Sequence, residues 1–163
     1  MEQIIEDILN NYILLAPLIS WFVAQLLKVF TNLVIERKLS IERLFGDGGM
    51  PSGHSATVTS LAVMVGWSYG FNSAVFAIAT LLAIIVMHDA TGVRREAGKH
   101  AESIKEMAEL VNELFKESDL KIRTEKIKKL VGHTPLQVFV GALIGALIAV
   151  IVCGIVGISY RGI

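Results

Sequence analysis

The feature that most constrains the fold is a series of four apolar stretches, at about 12–35, 55–70, 72–88 and 135–158. Crossing the ~30 Å hydrocarbon core of a bilayer takes about 20 helical residues. The chain of 163 residues is 53% hydrophobic and only 18% charged, which excludes an ordinary soluble domain. We therefore predict an all-α polytopic membrane helix bundle with about four spans, organised as one domain over 1–163.

The segments between the spans refine this prediction. A glycine turn and an Asn/Ser cap at 69–73 predict a tight antiparallel hairpin between the second and third spans. A helical insertion is expected at about 96–131. In its first part apolar and acidic residues lie on opposite faces at helical spacing, and its second part is a shorter basic helix capped by Thr124. This amphipathic helical pair is interpreted as resting on the bundle or membrane surface, with regulatory or partner binding as the alternative.

The distribution of charge predicts the orientation. Outside the predicted spans, thirteen of fourteen Lys and Arg residues lie in the loops at 36–54 and 89–133. The positive-inside rule places both loops in the cytoplasm and both termini outside a cell membrane that the chain crosses several times. The formal net charge is zero, so no basic excess indicates nucleic acid, and the single cysteine, Cys153, excludes a disulfide framework.

The glycine-rich segment at 48–55 leads directly into the second span and is built to hold phosphate. Glycines let backbone N–H groups approach an anion, Pro51 fixes the turn, and the following helix start adds N–H donors. His54 in this segment can donate a proton near neutral pH. The alternative is a turn whose serine caps a helix and whose histidine is interfacial.

Two further polar segments flank the other spans. After the third span, the adjacent Arg94 and Arg95 can clamp phosphate oxygens, and Asp89 could orient an arginine or a histidine. The alternative for the arginines is contact with lipid headgroups. Before the last span, Thr134 and Gln137 form a capping box, and His133 stands just outside it, either as a nucleophile or as an interfacial residue.

The first and last spans carry residues that also need an explanation. Lys28 lies on one helical face with Gln25 and Asn32, which indicates a polar cavity, although a lysine near a span end can also snorkel to the surface. The last span carries a surface of small residues that includes Gly141 and Gly145, which is typical of close helix packing.

Three motifs together resemble a known family: Pro-Ser-Gly-His at 51–54, Asp-Ala-Thr-Gly-Val-Arg-Arg at 89–95 and Gly-His-Thr-Pro at 132–135. They are similar to the divergent branch of the type 2 phosphatidic acid phosphatase superfamily, which is related to acid phosphatases and vanadium-dependent haloperoxidases. The resemblance covers nearly the whole chain. The superfamily pattern is Lys-x6-Arg-Pro, Pro-Ser-Gly-His and Ser-Arg-x5-His-x3-Asp. It implies that basic residues hold phosphate, the first histidine protonates the leaving group, and the last histidine is the nucleophile, without a metal or other cofactor.

Carried over to this chain, the resemblance implies that His54 is the general acid. The phosphate-binding set that it implies is Lys28, Ser52, Gly53, Arg94 and Arg95. Seven residues after Lys28 the chain has Ile35 in place of the arginine of the pattern, so that Arg37 or Arg43 would have to substitute.

The resemblance leaves two candidates for the nucleophile, His133 and His100. His100 has the arginine–histidine spacing of the pattern, whereas His133 has Gln137 where the pattern has aspartate. We favour His133 because it opens a span, as the first histidine of the pattern does. Asp89 or Glu96 would then have to supply the carboxylate that orients the nucleophile.

The function that the resemblance implies is a metal-independent phosphatase acting on a lipid phosphate or diphosphate through a phosphohistidine at the cytoplasmic leaflet. The alternative is a non-catalytic protein that binds or transports a phospholipid or polyprenyl phosphate in the same basic pocket. A third interpretation is a structural module whose basic loops anchor membrane lipids. The superfamily commonly has six core helices, so either the cytoplasmic helices or a second subunit of a homo-oligomer would complete the pocket.

Overall fold

The computed structural model describes residues 1–36, 49–116 and 132–158, with the backbone alone at 35, 36, 94 and 95. Within these ranges every regular element is a helix, which confirms the predicted all-α membrane bundle. The helices are α1 Glu2–Leu9, α2 Tyr12–Glu36, α3 Gly53–Tyr69, α4 Ala74–Thr91, α5 Val93–Leu114 and α6 Pro135–Val156. Arg37, Arg43 and the predicted second helix of the insertion, capped by Thr124, lie outside the described residues.

Helix α3 lies at the centre of the bundle and contacts α2, α4 and α6. Most of its eight buried residues are small, among them Ser55, Ala56, Ser60 and Ala62. Short side chains let three neighbouring helices come close to one helix without steric conflict. The other helices therefore arrange themselves around α3.

Each of the four predicted spans corresponds to a helix of the bundle. Three candidates are long and apolar enough, within Tyr12–Val34, Ala74–Leu114 and Pro135–Val156. The span predicted at 55–70 corresponds to α3, which has 17 residues, and at 1.5 Å per residue it is only about 25 Å long. Helix α3 is surrounded by three other helices. It can therefore be shorter than a helix that faces the lipid along its whole length.

The predicted hairpin between the second and third spans is confirmed. Gly70 ends α3 with a φ of 90°, a conformation that favours glycine. The Ser73 hydroxyl then caps α4 by accepting a hydrogen bond from the Phe76 N–H at 3.2 Å. The short connection returns the chain along α3, so that α3 and α4 pack as neighbours.

The segment at 89–95, predicted as the start of a loop, is instead a break between two helices. Helix α4 continues to Thr91, Gly92 interrupts it, and α5 begins at Val93. The expected amphipathic helix is therefore present but starts earlier than predicted. Its apolar side chains Ile104 and Met107 are exposed within the described part of the chain.

The predicted small-residue surface of α6 packs directly against the backbone of α3, which confirms its assignment to helix packing. Gly141 faces Ser52 and Gly145 faces Ala56 so closely that a Cβ at either glycine would overlap a carbonyl oxygen of the facing residue. Gly145, like Gly141, is buried. The two helices therefore cross where α3 begins, and this crossing fixes the first turn of α3 against α6.

A substitution at this crossing should destabilise the bundle. Gly145→Ala is expected to lower the free energy of unfolding by about 1–3 kcal/mol, because the added methyl group forces the two backbones apart. Gly154→Ala in the same helix is the matched control, since a Cβ there meets nothing within 4 Å. Denaturation of both variants in detergent micelles measures the difference. An equal loss of stability in the two variants would contradict the close crossing.

Candidate functional site

The end of the bundle where α2 and α4 finish and α3 and α6 begin, here called the site end, brings distant segments together. The Ser52 N–H donates a hydrogen bond to the carbonyl oxygen of Gln137 at 3.0 Å, which ties the start of α3 to α6. The His133 N–H donates to the carbonyl oxygen of Ala90 at 3.0 Å, which ties the start of α6 to the last turn of α4. Three of the predicted polar segments therefore meet at one place.

Two histidines lie against each other at the site end. The ring centroids of His54 and His133 are 6.2 Å apart, in an edge-to-face arrangement with an interplanar angle of 64°. His133 is 3% exposed, and His54 is half-buried. Each precedes or opens a helix, His54 in the first turn of α3 and His133 just before α6.

The turn before α3 is held by the serine of the Pro-Ser-Gly-His motif. Ser52 is fully buried, and its hydroxyl oxygen accepts hydrogen bonds from the Ser55 N–H at 3.3 Å and from the Ser55 hydroxyl at 3.0 Å. The Ser52 side chain therefore caps α3. This agrees with the alternative interpretation of the motif as a turn whose serine caps a helix. The N–H groups of Gly53 and His54 belong to the first turn, whose donors have no partner within the helix. They are the donors that an anion at this helix start would meet.

Lys28 is buried on the face of α2 that packs against α3. It is 3% exposed, within a stripe of buried residues that also contains Gln25 and Asn32. Its aliphatic chain lies against Gly49, where a Cβ would be 3.2 Å from Cγ of the lysine. The lysine therefore lies inside the bundle beside the segment that leads to Pro-Ser-Gly-His, and the snorkelling alternative does not describe it. A buried ammonium is costly unless polar or anionic groups surround it.

A hydrogen bond holds that leading segment against α2. The Thr31 hydroxyl donates to the carbonyl oxygen of Met50 at 2.6 Å. Gly49, with a φ of 88°, makes the turn that allows this approach. One turn of α2 therefore carries both Lys28 and the Thr31 side chain, which holds the glycine-rich loop before α3 in place. Sequence reasoning did not single out Thr31, although it lies three residues after the predicted lysine.

The end of α4 places Asp89 near this cluster and leaves His88 at the surface. Asp89 is half-buried and adjacent to Ala90, whose carbonyl oxygen accepts the His133 N–H. Glu96, the other predicted carboxylate, is exposed on α5 and pairs with Lys99 at 2.6 Å. Of the two, only Asp89 lies beside a residue that contacts His133.

The two candidate nucleophiles are placed differently. His100 is exposed on α5, which among the described helices contacts α4. It makes no ring contact or hydrogen bond with His54 within the described ranges, whereas His133 does contact His54. Arg94 and Arg95 lie in the first turn of α5, and their side chains are outside the described residues. No group of three or more His, Cys, Asp or Glu side chains in the described segments is arranged as metal ligands would be.

Gln137 contacts His133 directly, whereas the sequence assigned Gln137 to the capping box and the orientation of the histidine to Asp89 or Glu96. The capping box is confirmed: the Thr134 N–H donates to Gln137 Oε1 at 3.0 Å, and the Gln137 N–H donates to the Thr134 hydroxyl at 3.4 Å. In addition, Gln137 Oε1 lies 3.3 Å from His133 Nδ1. The four-residue spacing of His133 and Gln137 was the signal that could have predicted this contact.

Comparison with known proteins identifies the family of the chain. The model of the divergent PAP2 family matches residues 9–148, a range that includes α2, α3, α4, α5 and the start of α6. The chain belongs to the divergent PAP2 family. A relative from Bacillus subtilis (strain 168), the uncharacterized membrane protein YuiD, is 39% identical over 151 residues, which cover 89% of this chain and 96% of YuiD. No solved structure matches the chain. The family match supports the resemblance that the three motifs indicated, and the molecule is a membrane protein of this family.

Proposed function

We propose that the protein is a membrane-embedded phosphatase that hydrolyses a lipid phosphate or diphosphate through a phosphohistidine intermediate. The observation that carries this proposal is the pair His54 and His133, at 6.2 Å between ring centroids. A nucleophile must lie about 3–3.5 Å from the reacting atom, and an acid about 2.6–3.2 Å from the atom that it protonates. The nucleophile and the acid act on opposite sides of the same phosphorus atom, so both rings must be close to one bound phosphate, and the contact between His54 and His133 supports this.

The reaction has two steps, and His54 acts as an acid in the first and as a base in the second. In the first, a ring nitrogen of His133 attacks phosphorus, the bond from phosphorus to the lipid oxygen breaks, and protonated His54 gives its proton to that oxygen. The products are the lipid alcohol and phosphohistidine. In the second, neutral His54 takes a proton from water as that water attacks phosphorus and the bond from phosphorus to the ring nitrogen of His133 breaks. Inorganic phosphate leaves, and both histidines return to their starting states.

The groups around the pair supply a cradle for the phosphate. The N–H groups of Gly53 and His54 at the start of α3 provide donors and a partial positive charge. Lys28, buried beside Gly49, adds a positive charge that stabilises the transferring phosphoryl group. Arg94 and Arg95 are part of the proposed cradle because the sequence indicates that they bind phosphate. Because the basic loops adjoin the site end, we place the site at the cytoplasmic leaflet, with both termini outside.

A second candidate is a protein that binds or transports a phosphorylated lipid without hydrolysing it. One observation favours it: a neutral amide, Gln137, contacts His133 where the phosphatase pattern has aspartate. The cradle would then bind the headgroup in the same way, but no phosphorus–oxygen bond would break. The two candidates differ in whether inorganic phosphate is released.

A phosphate-release screen tests the proposal. The purified protein in lipid–detergent micelles is incubated with phosphatidic acid, a polyprenyl phosphate or a polyprenyl diphosphate, in the presence of EDTA. We expect inorganic phosphate from at least one substrate, and we expect vanadate, an analogue of the five-coordinate transition state, to inhibit its release. Saturable binding of the same lipids without any phosphate release would overturn the phosphatase and support the binding protein.

A further inference from the structure

The side-chain oxygen of Gln137 accepts hydrogen bonds from two donors, and this places a proton on Nδ1 of His133. Gln137 Oε1 lies 3.0 Å from the Thr134 backbone nitrogen and 3.3 Å from His133 Nδ1. A backbone N–H can only donate, so the amide atom that faces it must be the oxygen and not the NH₂ group. The ring nitrogen that faces the same oxygen must also donate. Nδ1 of His133 therefore carries a proton, and in the neutral ring Nε2 is the unprotonated nitrogen.

Gln137 is also tied to the start of α3. Its backbone carbonyl oxygen accepts the hydrogen bond from the Ser52 N–H at 3.0 Å. The same residue therefore touches His133 through its side chain and the Pro-Ser-Gly-His turn through its backbone. Gln137 therefore affects both the orientation of the His133 ring and the position of α3, which carries His54.

We propose that Gln137 is the positioning residue for His133 and holds its ring with the proton on Nδ1, without contributing a negative charge. This inference rests on the proposed function only in making Nε2 the attacking nitrogen, whereas the tautomer is a property of the resting protein. A hydrogen-bonded partner on the second nitrogen commonly orients a histidine whose first nitrogen binds or reacts. Here that partner is an amide.

The absence of charge on Gln137 has a consequence for substrate binding. A carboxylate at this place would lie one ring width from a phosphate bound at Nε2, and like charges at that distance repel. The amide provides the same acceptor oxygen without this repulsion. With an amide at position 137, the site binds a multiply charged phosphate without this repulsion. A carboxylate would instead raise the basicity of the nucleophile.

Nitrogen NMR of the protein labelled with ¹⁵N-histidine tests the tautomer independently of any activity. The His133 signals are assigned by their loss in His133→Asn. We expect a protonated Nδ1 and an unprotonated Nε2 in the unsubstituted protein and in Thr134→Ala, which removes the other half of the capping box. Gln137→Met, which removes the acceptor, should shift the ring toward protonation at Nε2. An unprotonated Nδ1 in the unsubstituted protein, or no change in Gln137→Met, would overturn the positioning role.

The kinetic arm uses the same variants together with Gln137→Glu. We expect Gln137→Met to lower kcat by about 10- to 100-fold, the range found when the orienting partner of a ligating histidine is removed. Gln137→Glu keeps the acceptor and the cap, so it should retain kcat and raise KM, whereas Thr134→Ala should leave both unchanged. Equal losses of kcat in Gln137→Met and Thr134→Ala would show a role in helix capping alone and would overturn the proposal. A protonated Nδ1 in a protein that releases no phosphate would leave Gln137 as the positioning residue and overturn the phosphatase instead.

Discussion

Replacement of His133 by asparagine is expected to reduce phosphate release by about 10³-fold or more, because the variant has no nitrogen nucleophile to form the covalent intermediate. The loss should be the same for every substrate, since all of them pass through the same phosphohistidine. Steady-state release of inorganic phosphate measures it. In the unsubstituted protein, brief incubation with ³²P-labelled substrate should give a labelled chain whose phosphate is stable in alkali and lost in acid, as phosphohistidine is.

Replacement of His54 should depend on the leaving group, which separates the two histidine roles. A lipid alkoxide departs poorly without a proton, so His54→Asn should lower the rate on a lipid phosphate by about 10²- to 10⁴-fold, the usual contribution of a general acid. An aryl phosphate such as p-nitrophenyl phosphate needs no proton for departure. On this substrate His54→Asn should release about one equivalent of phenolate in a burst and then slow down, because water is no longer activated.

His88→Asn is the matched control for both substitutions. His88 lies in the last turn of α4 and is exposed, so its loss should leave the rate unchanged. His100→Asn decides between the two sequence-based candidates for the nucleophile. Full activity in His133→Asn together with loss of activity in His100→Asn would transfer the role to His100 and contradict the assignment made from the histidine pair.

Much of the local structure at the site end was predictable because short-range chemistry determines it. The serine cap of α4 at Ser73 and the capping box between Thr134 and Gln137 follow from residue types and spacing, and both are present. The small-residue surface of α6 was recognisable in the same way. The helix that packs against this surface was not, since Gly145 and Ala56 are 89 residues apart and no local pattern relates them.

The features that sequence reasoning could not predict all depend on that packing. The separation of His54 and His133 follows from the close crossing of α3 and α6, and the burial of Lys28 follows from the packing of α2 against α3. The side chain of a lysine near the end of an apolar helix can reach the surface or enter the bundle. Which of the two positions it takes depends on how the neighbouring helix packs. Three described helices are long and apolar enough to cross a membrane, and α3, the helix of the fourth predicted span, has 17 residues and packs against them.

The substitution Lys28→Met should also have a large effect, and it tests the phosphate cradle separately from the histidines. Methionine is unbranched and of similar length, so it keeps the contact with Gly49 and removes the ammonium. Loss of one preorganised group that stabilises transition-state charge typically costs about 10²- to 10³-fold. We expect kcat/KM to fall by that amount and the inhibition constant of vanadate to rise in parallel, because vanadate carries the same equatorial charge.

Lys99→Met provides the matched control, because Lys99 is an exposed lysine of α5 that pairs with Glu96 at 2.6 Å. An exposed pair of this kind contributes little, about 0–1 kcal/mol, so this variant should retain both kcat/KM and vanadate inhibition. The elution volume in size-exclusion chromatography and the melting temperature of each variant show whether the bundle is intact. If Lys28→Met stays folded and binds vanadate as tightly as the unsubstituted protein, Lys28 does not face the phosphate. Its burial between α2 and α3 would then be structural, and the positive charge of the cradle would have to come from elsewhere.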